Sequence, residues 1–284
     1  MLPRTDILIN RIRQESDTED ENSLSDFVMT QYLNDAQRTI QNIIFQSDQL
    51  NNVFTTYIVL TAVNGQVEYD LPSNVYAENS IISVWTLGNN NRPGIRYDKL
   101  SYGEQSLAYG YSVRNRKIVF NHAPQQDVLV IYNYRLPLMS LRAGGISGVA
   151  SQVISMTDIL DNWENVAEYV SIVDKYGTQI QTQLYIDSFS DPSLTVEGDI
   201  TSVTSSHFVT IGGNSSTHSS LPEECETLLK VFTQRKVLAH INSKKVANSD
   251  IFTKEERQDI EELFADKHSD IEYPVIVDYD YLDF

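Results

Sequence analysis

The groups in this sequence that could do bond chemistry are five histidines, one cysteine and a large stock of carboxylates. His122, His207, His218, His240 and His268 fall at no metal-ligand spacing, and the lone Cys225 offers neither a thiolate cage nor an internal disulfide. Cys225 and His240 could serve as nucleophile and base. Both fall in one expected helix, however, where fifteen residues at about 1.5 Å each hold them roughly 22 Å apart. Glu223 with Glu224, or Asp158 with Asp161, could supply the acid and base of glycoside hydrolysis. Acidic residues at a helix start serve equally to meet the positive end of the helix dipole. Gly144-Gly145 open no phosphate-cradling pattern, and neither a Walker loop nor a G-x-S-x-G elbow occurs. The acidic stretch Glu15 to Asn22 lacks the glycine and closing glutamate of a calcium loop and reads as a solvated connection. These residue types therefore point to no catalytic centre, metal or cofactor.

The elements that would position these residues follow from periodicity. Met29, Leu33, Ala36, Ile40 and Ile43, widened by Tyr32 and Ile44, recur at helical steps across Ser23 to Phe45. Ser23 with Asp26 resembles a capping box, and the opposite face, Asn34, Asp35, Gln37, Arg38 and Gln41, is expected to be wet or to meet another subunit. Thr5 to Gln14 reads as a shorter helix burying Ile7, Leu8 and Ile12. From Val53 the composition turns β-branched and aromatic. Phe54 to Val63 and Gln66 to Pro72 flank Asn64-Gly65 and predict a hairpin. Strands are expected at Ile81 to Leu87, Ile95 to Leu100, Lys117 to Phe120 after a tight turn at Asn115, and Val128 to Leu136.

Arg142 to Ser220 differs, with Gly144, Gly145 and Gly148 at its front and Gly212, Gly213, Ser215, Ser216, Ser219 and Ser220 at its back, flanks that read as flexible joints. Glu168 to Val173, Thr178 to Ile186 and Ser206 to Ile211 read as strands, although Asp158 to Tyr176 also fits a helix. Leu221-Pro222-Glu223-Glu224 opens a helix burying Leu228, Leu229 and Phe232, with Val231, Leu238 and Ile241 widening its apolar region. Thr253 with Glu256 caps a last helix whose apolar edge is Ile260, Leu263 and Phe264. Beyond it, Val275, Val277, Tyr279 and Tyr281 alternate with Ile276, Asp278 and Asp280, a period of two that suits an extended docking arm.

The chain of 284 residues carries a net charge of -18, so its field repels nucleic acid and excludes a binder that works by neutralising phosphates. No apolar run approaches a bilayer span and the amino terminus lacks a secretory core, so no membrane is expected. The one basic concentration, Lys230, Arg235, Lys236, Lys244 and Lys245, would meet acidic surface on a partner.

Three stretches, in order, resemble the head-to-tail adaptor (head-completion, connector) proteins of tailed bacteriophages. The first is LSDFVMTQYLNDAQRTIQNII, matching at Tyr32, Leu33, Asn34, Asp35, Ala36, Gln37, Arg38 and Ile40. The second is KIVFNHAPQQDVLVIYNYRLP, and the third the helix with Leu221-Pro222, Leu228-Leu229, Arg235-Lys236 and Leu238-Ala239. The resemblance implies a structural virion protein, made in the host cytoplasm, that forms a homo-oligomeric ring, commonly of twelve copies, between portal and tail proteins. Such a ring seals the head, and genomic DNA slides through its channel without specific binding; an acidic surface suits that passage. A tail-tube or tail-hub ring protein and a virion-associated peptidoglycan-degrading enzyme are the alternatives. The expected fold is α+β: N- and C-terminal helices packed as a bundle, an intervening β-sheet segment and an inserted β-rich subdomain. The corresponding divisions are 1–141, 142–220, 221–270 and a docking arm over 271–284.

Overall fold

The computed structural model describes residues 2–18, 24–46, 53–88, 92–100, 109–241 and 254–268. The chain is a mixed α+β protein with helices toward both ends, and β-sheet outweighs helix in it. It divides into two compact units, one of residues 1–43 with 136–260, the other of residues 44–135 with 261–284.

Helix α1 (Thr5–Glu15) buries Leu8, Ile9 and Ile12, while Ile7 faces out, so the apolar face is rotated by one position from the expected one. Helix α2 (Asp26–Gln46) begins three residues later than expected. The Ser25 hydroxyl accepts the Val28 amide at 3.3 Å and caps the first turn; Ser23 lies outside the described residues. The stripe from Met29 to Ile44 is buried as its period requires.

In the second unit, β1 (Thr55–Leu60), β2 (Glu68–Asp70), β3 (Ile81–Leu87), β4 (Pro93–Lys99), β5 (Gly110–Arg114), β6 (Lys117–Phe120) and β7 (Val128–Asn133) form one sheet in the order β1-β7-β3-β4-β5-β6-β2. The expected hairpin is corrected: β1 and β2 leave the Asn64-Gly65 turn for opposite edges. Six uncharged residues of β1 pair in continuous register with β7, and three of β2 pair with β6. That long-range register outweighs a good local turn. Asn115 and Arg116 do form the tight turn between β5 and β6, both with positive φ. One face of the sheet buries Val84, Val130, Ile118 and the rings of Tyr69, Tyr97, Tyr111, Phe120 and Tyr132. Tyr97 and Tyr69 meet Phe120 edge-on at 5.0 and 5.9 Å.

In the first unit, a pair of two-residue strands and a closed barrel follow. Strand β8 (Leu138–Met139) pairs in parallel with β15 (Ser215–Ser216), and between them β9 (Arg142–Ala150), β10 (Val153–Thr157), β11 (Tyr169–Val173), β12 (Gln179–Ser190), β13 (Ser193–Glu197) and β14 (Phe208–Ile211) close in the order β10-β13-β12-β11-β14-β9. Inward Ile154, Val170, Ile172, Leu184, Leu194, Val196 and Val209 fill the barrel, and Trp163 plugs it with its ring 5.2 Å from Phe189. Trp163 stands on a single 3₁₀ turn, Trp163–Asn165, so the helical alternative for Asp158 to Tyr176 is overturned.

The expected joints are corrected as well. Gly144 lies inside β9 where a Cβ would meet Met156 Cε at 2.8 Å and the Thr157 carbonyl at 2.9 Å, so glycine there permits strand closure. Ser215, Ser216 and Ser219 are buried and bonded: Ser216 donates to the Gly177 carbonyl at 2.6 Å and Ser215 to that of Gly212 at 2.9 Å.

Helix α3 (Glu226–Ile241) follows a 3₁₀ turn, Glu223–Cys225, and buries Leu229, Phe232, Thr233 and Val237. Leu238 and Ile241, expected to be covered, are exposed. Helix α4 (Lys254–His268) buries Ile260 and Phe264. Its expected cap, Thr253, lies outside the described residues. No described helix is long and apolar enough to cross a membrane.

Candidate functional site

Among the described residues, the groups that could do chemistry stay apart. Cys225 is buried at the foot of α3, while His240 near the other end of that helix is exposed and takes a 2.8 Å hydrogen bond with the Tyr32 hydroxyl. Glu223 and Glu224 sit exposed on the 3₁₀ turn, and Asp158 and Asp161 on the exposed approach to Trp163. Among the described residues, no three His, Cys, Asp or Glu side chains converge as metal ligands.

What does converge is polar and lies along α2. Asn34, Gln37 and Gln41 recur at three- and four-residue steps, so they share a face. Asn34 Nδ2 donates to the Met139 carbonyl at 2.9 Å and Asn34 Oδ1 accepts the Met139 amide at 2.7 Å. Gln37 Nε2 donates to the Pro137 carbonyl at 2.8 Å, while its Oε1 accepts the Ser219 hydroxyl at 2.6 Å. Gln41 Oε1 accepts the Leu136 amide at 3.4 Å. Gln37 and Gln41 are 1% and 2% exposed, which corrects the expectation of a wet or intersubunit face for these two residues, while Arg38 stays exposed. Three amides thus satisfy the backbone of residues 136–139, which pairs as β8 with β15 on its other side. The signal was present as Asn and Gln spaced like the apolar stripe beside them.

The described basic residues of α3 are placed as follows. Lys230 reaches Glu15 of α1 at 2.8 Å, Gln234 donates to the other oxygen of Glu15 at 2.7 Å, and Lys236 reaches Asp35 of α2 at 3.0 Å. Arg11 on α1 answers with Glu226 on α3 at 2.6 Å. The hydrogen bond from Lys230 holds Glu15 below the usual carboxylate range. Arg235 is half-buried. Lys244, Lys245, Val275, Val277, Tyr279 and Tyr281 lie outside the described residues.

A second polar cluster closes the seam between the chain's start and β15. The Thr5 amide and hydroxyl both donate to the Thr217 carbonyl, at 2.9 and 3.0 Å, and Arg4 pairs with His218 in an isolated bridge. Burial pushes the His218 imidazole below its ordinary range, and the charges of Arg142 and Arg4 push it further. Arg142 lies 3.6 Å over the Phe208 ring.

A family model described as SU10 adaptor protein matches residues 5–181. The chain belongs to the SU10 adaptor family. This is a phage head-to-tail adaptor family. No curated protein matches the chain. The span matched to the adaptor model holds α1, α2 with Asn34, Gln37 and Gln41, the whole seven-stranded sheet, and the barrel as far as the start of β12. In this adaptor the gripping residues of α2 and the gripped residues 136–139 both fall inside the family span, whereas α3 and its cations fall outside it.

Proposed function

We propose that the protein is the subunit of a homo-oligomeric ring, of twelve copies, seated between the portal and the tail of a tailed bacteriophage. Its ring seals the DNA-filled head and offers the tail its attachment surface. The observation that carries this reading is membership of a head-to-tail adaptor family across more than half the chain. The net charge of -18 supports it further, because a channel wall that weakly repels DNA lets the genome pass without stalling.

The adaptor's body, in this reading, is the helical ends of the chain brought together. Contacts of α1 and α2 with α3 through Glu15–Lys230, Arg11–Glu226 and Asp35–Lys236 favour it. Residues 142–220 form a β-barrel subdomain carried by that body, the first half of which lies within the family span. A closed ring uses two different complementary faces on each subunit. Lys244 and Lys245, continuing the basic run of Lys230, Arg235 and Lys236, supply one of them toward acidic partner surface, and residues 271–284 form an extended arm that reaches the portal or a neighbour. The protein is assembled in the host cytoplasm and ends at the head-tail junction of the virion. A density map of purified virions that places this chain in a ring under the portal supports the reading; placement in the tail tube or at the tail tip refutes it.

A further inference from the structure

The two ends of the seven-stranded sheet are built differently. At one end, β2 is three residues long and charged, with Glu68 and Asp70 held 3.7 and 3.5 Å from Arg114 and Lys117. Shortness and charge are how proteins keep an edge from recruiting another strand. At the other end, β1 runs for six residues, TTYIVL, without a charge, a proline or a bulge in its pairing with β7. Among the described residues no strand takes up its other side. Tyr57 and Val59 are 64% and 42% exposed and continue a stripe with their cross-strand partners Ile131 and Leu129, and with Trp85 opposite Leu129 on β3. A six-residue, uncharged, unbulged edge beside an apolar stripe is one that a strand covers.

The occupant is indicated by what remains of the chain. Of the stretches outside the described residues, residues 269–284 hold the alternation of a strand: Val275, Val277, Tyr279 and Tyr281 on one face, with Pro274 where a strand tolerates proline. The tether begins in the right place. Phe264 of α4 meets Phe54, the residue immediately before β1, with ring centroids 5.9 Å apart. From His268, where α4 ends, to Val275 the chain spans up to about 23 Å when extended. A six-residue strand measures about 20 Å, so residues 275–281 reach β1 without strain, and a short tether raises their local concentration to the order of millimolar.

We propose that in the free protein residues 275–281 of the same chain lie along the open edge of β1 as an added strand, Val277 and Tyr279 extending the stripe of Tyr57 and Val59. The arm is then stored on its own subunit, and a partner that captures it must first displace it from β1. This goes beyond the ring reading and does not depend on it.

Two measurements on the lone protein test the proposal. Amide exchange is followed in residues 56–60 of the full chain and of a chain ending at Glu272. Removing the segment is expected to speed exchange there about tenfold while β11 amides, deep in the barrel, stay unchanged; equal exchange in the two chains overturns the proposal. In the full chain, Val59→Cys is combined in turn with Val275→Cys, Val277→Cys and Tyr279→Cys, and the dilute protein is oxidised. Cys225 is buried and stays out of the reaction. A disulfide-closed monomer in at least one pairing is the expected result. Disulfide-linked dimers alone, the mark of a neighbour's arm, overturn the proposal, as does the absence of any cross-link. No portal is present in either measurement, so their failure leaves the ring reading standing.

Discussion

Asn34 and Met139 are joined twice, side-chain amide to backbone amide, at 2.9 and 2.7 Å. Met139 belongs to β8, whose other side pairs with β15, so Asn34 fills the place of a missing strand. A leucine at position 34 would leave one donor and one acceptor of a buried strand unpaired. Asn34→Leu is expected to destabilise the protein by about 1–3 kcal/mol, read from the shift of a urea unfolding midpoint. Asn34→Asp, which keeps the acceptor but sets a second carboxylate oxygen against the Met139 carbonyl, is expected to cost at least as much.

Trp163 is fully buried in the barrel and Trp85 stands in the seven-stranded sheet. Trp163→Ala removes the plug against Phe189 and is expected to destabilise the barrel by about 3–5 kcal/mol, with Trp163→Phe recovering most of that loss. The two tryptophans fall in different compact units. In Trp85→Phe protein the remaining fluorescence therefore reports the barrel's unfolding alone, and its midpoint, compared with and without a substitution in the sheet, shows whether the units melt together.

His218 has a folded-state pKa below its ordinary 6.5, first because burial disfavours the cation and then because Arg142 and Arg4 lie near; Asp6 and Asp174 oppose them. A depressed histidine leaves the unfolded chain binding the proton first. Its contribution is therefore present above about 6.5 and is lost as pH falls through the folded value. Stability measured from pH 8 down to 5 is expected to decline, and His218→Gln, which cannot titrate, is expected to flatten that decline. A slope unchanged by the substitution would contradict the assignment.

The basic residues of α3 divide into two kinds of prediction. Lys236→Glu sets a like charge against Asp35, and Lys230→Glu does so against Glu15. Because both carboxylates are substantially exposed, each intrachain pair is expected to contribute about 0.2–1 kcal/mol, measured by a double-mutant cycle with the carboxylate partner. Lys244→Glu with Lys245→Glu is expected to leave stability unchanged and to weaken ring assembly or portal docking, read by sedimentation. Unchanged sedimentation at both steps would remove these two lysines from the interface.

The parts of the fold that were legible in the sequence are those fixed by local physics. Met29 to Ile44 buries as a helical period says, Asn115 turns the chain as its tolerance of positive φ says, and β11, β12 and β14 lie where β-branched runs place them. What escaped was decided by partners far along the chain. Nothing near Asn64-Gly65 reveals that β1 will choose β7 across more than sixty residues, and no local feature of Gly144 shows that Met156 and Thr157 will crowd it. The amides of Gln37 and Gln41 look like a wet face until residues 136–139 arrive to use them. The resemblance to phage adaptors was readable because Tyr32 to Ile40 packs so many constraints together, apolar contacts on one side and backbone recognition on the other.

In the proposed ring, many copies of this chain act together on a portal. The purified protein mixed with purified portal, and weighed by native mass spectrometry, tests it most directly. A complex heavier than portal by a whole ring of this subunit, twelve copies, is expected. A portal whose mass is unchanged, with the protein left as single chains, would contradict it.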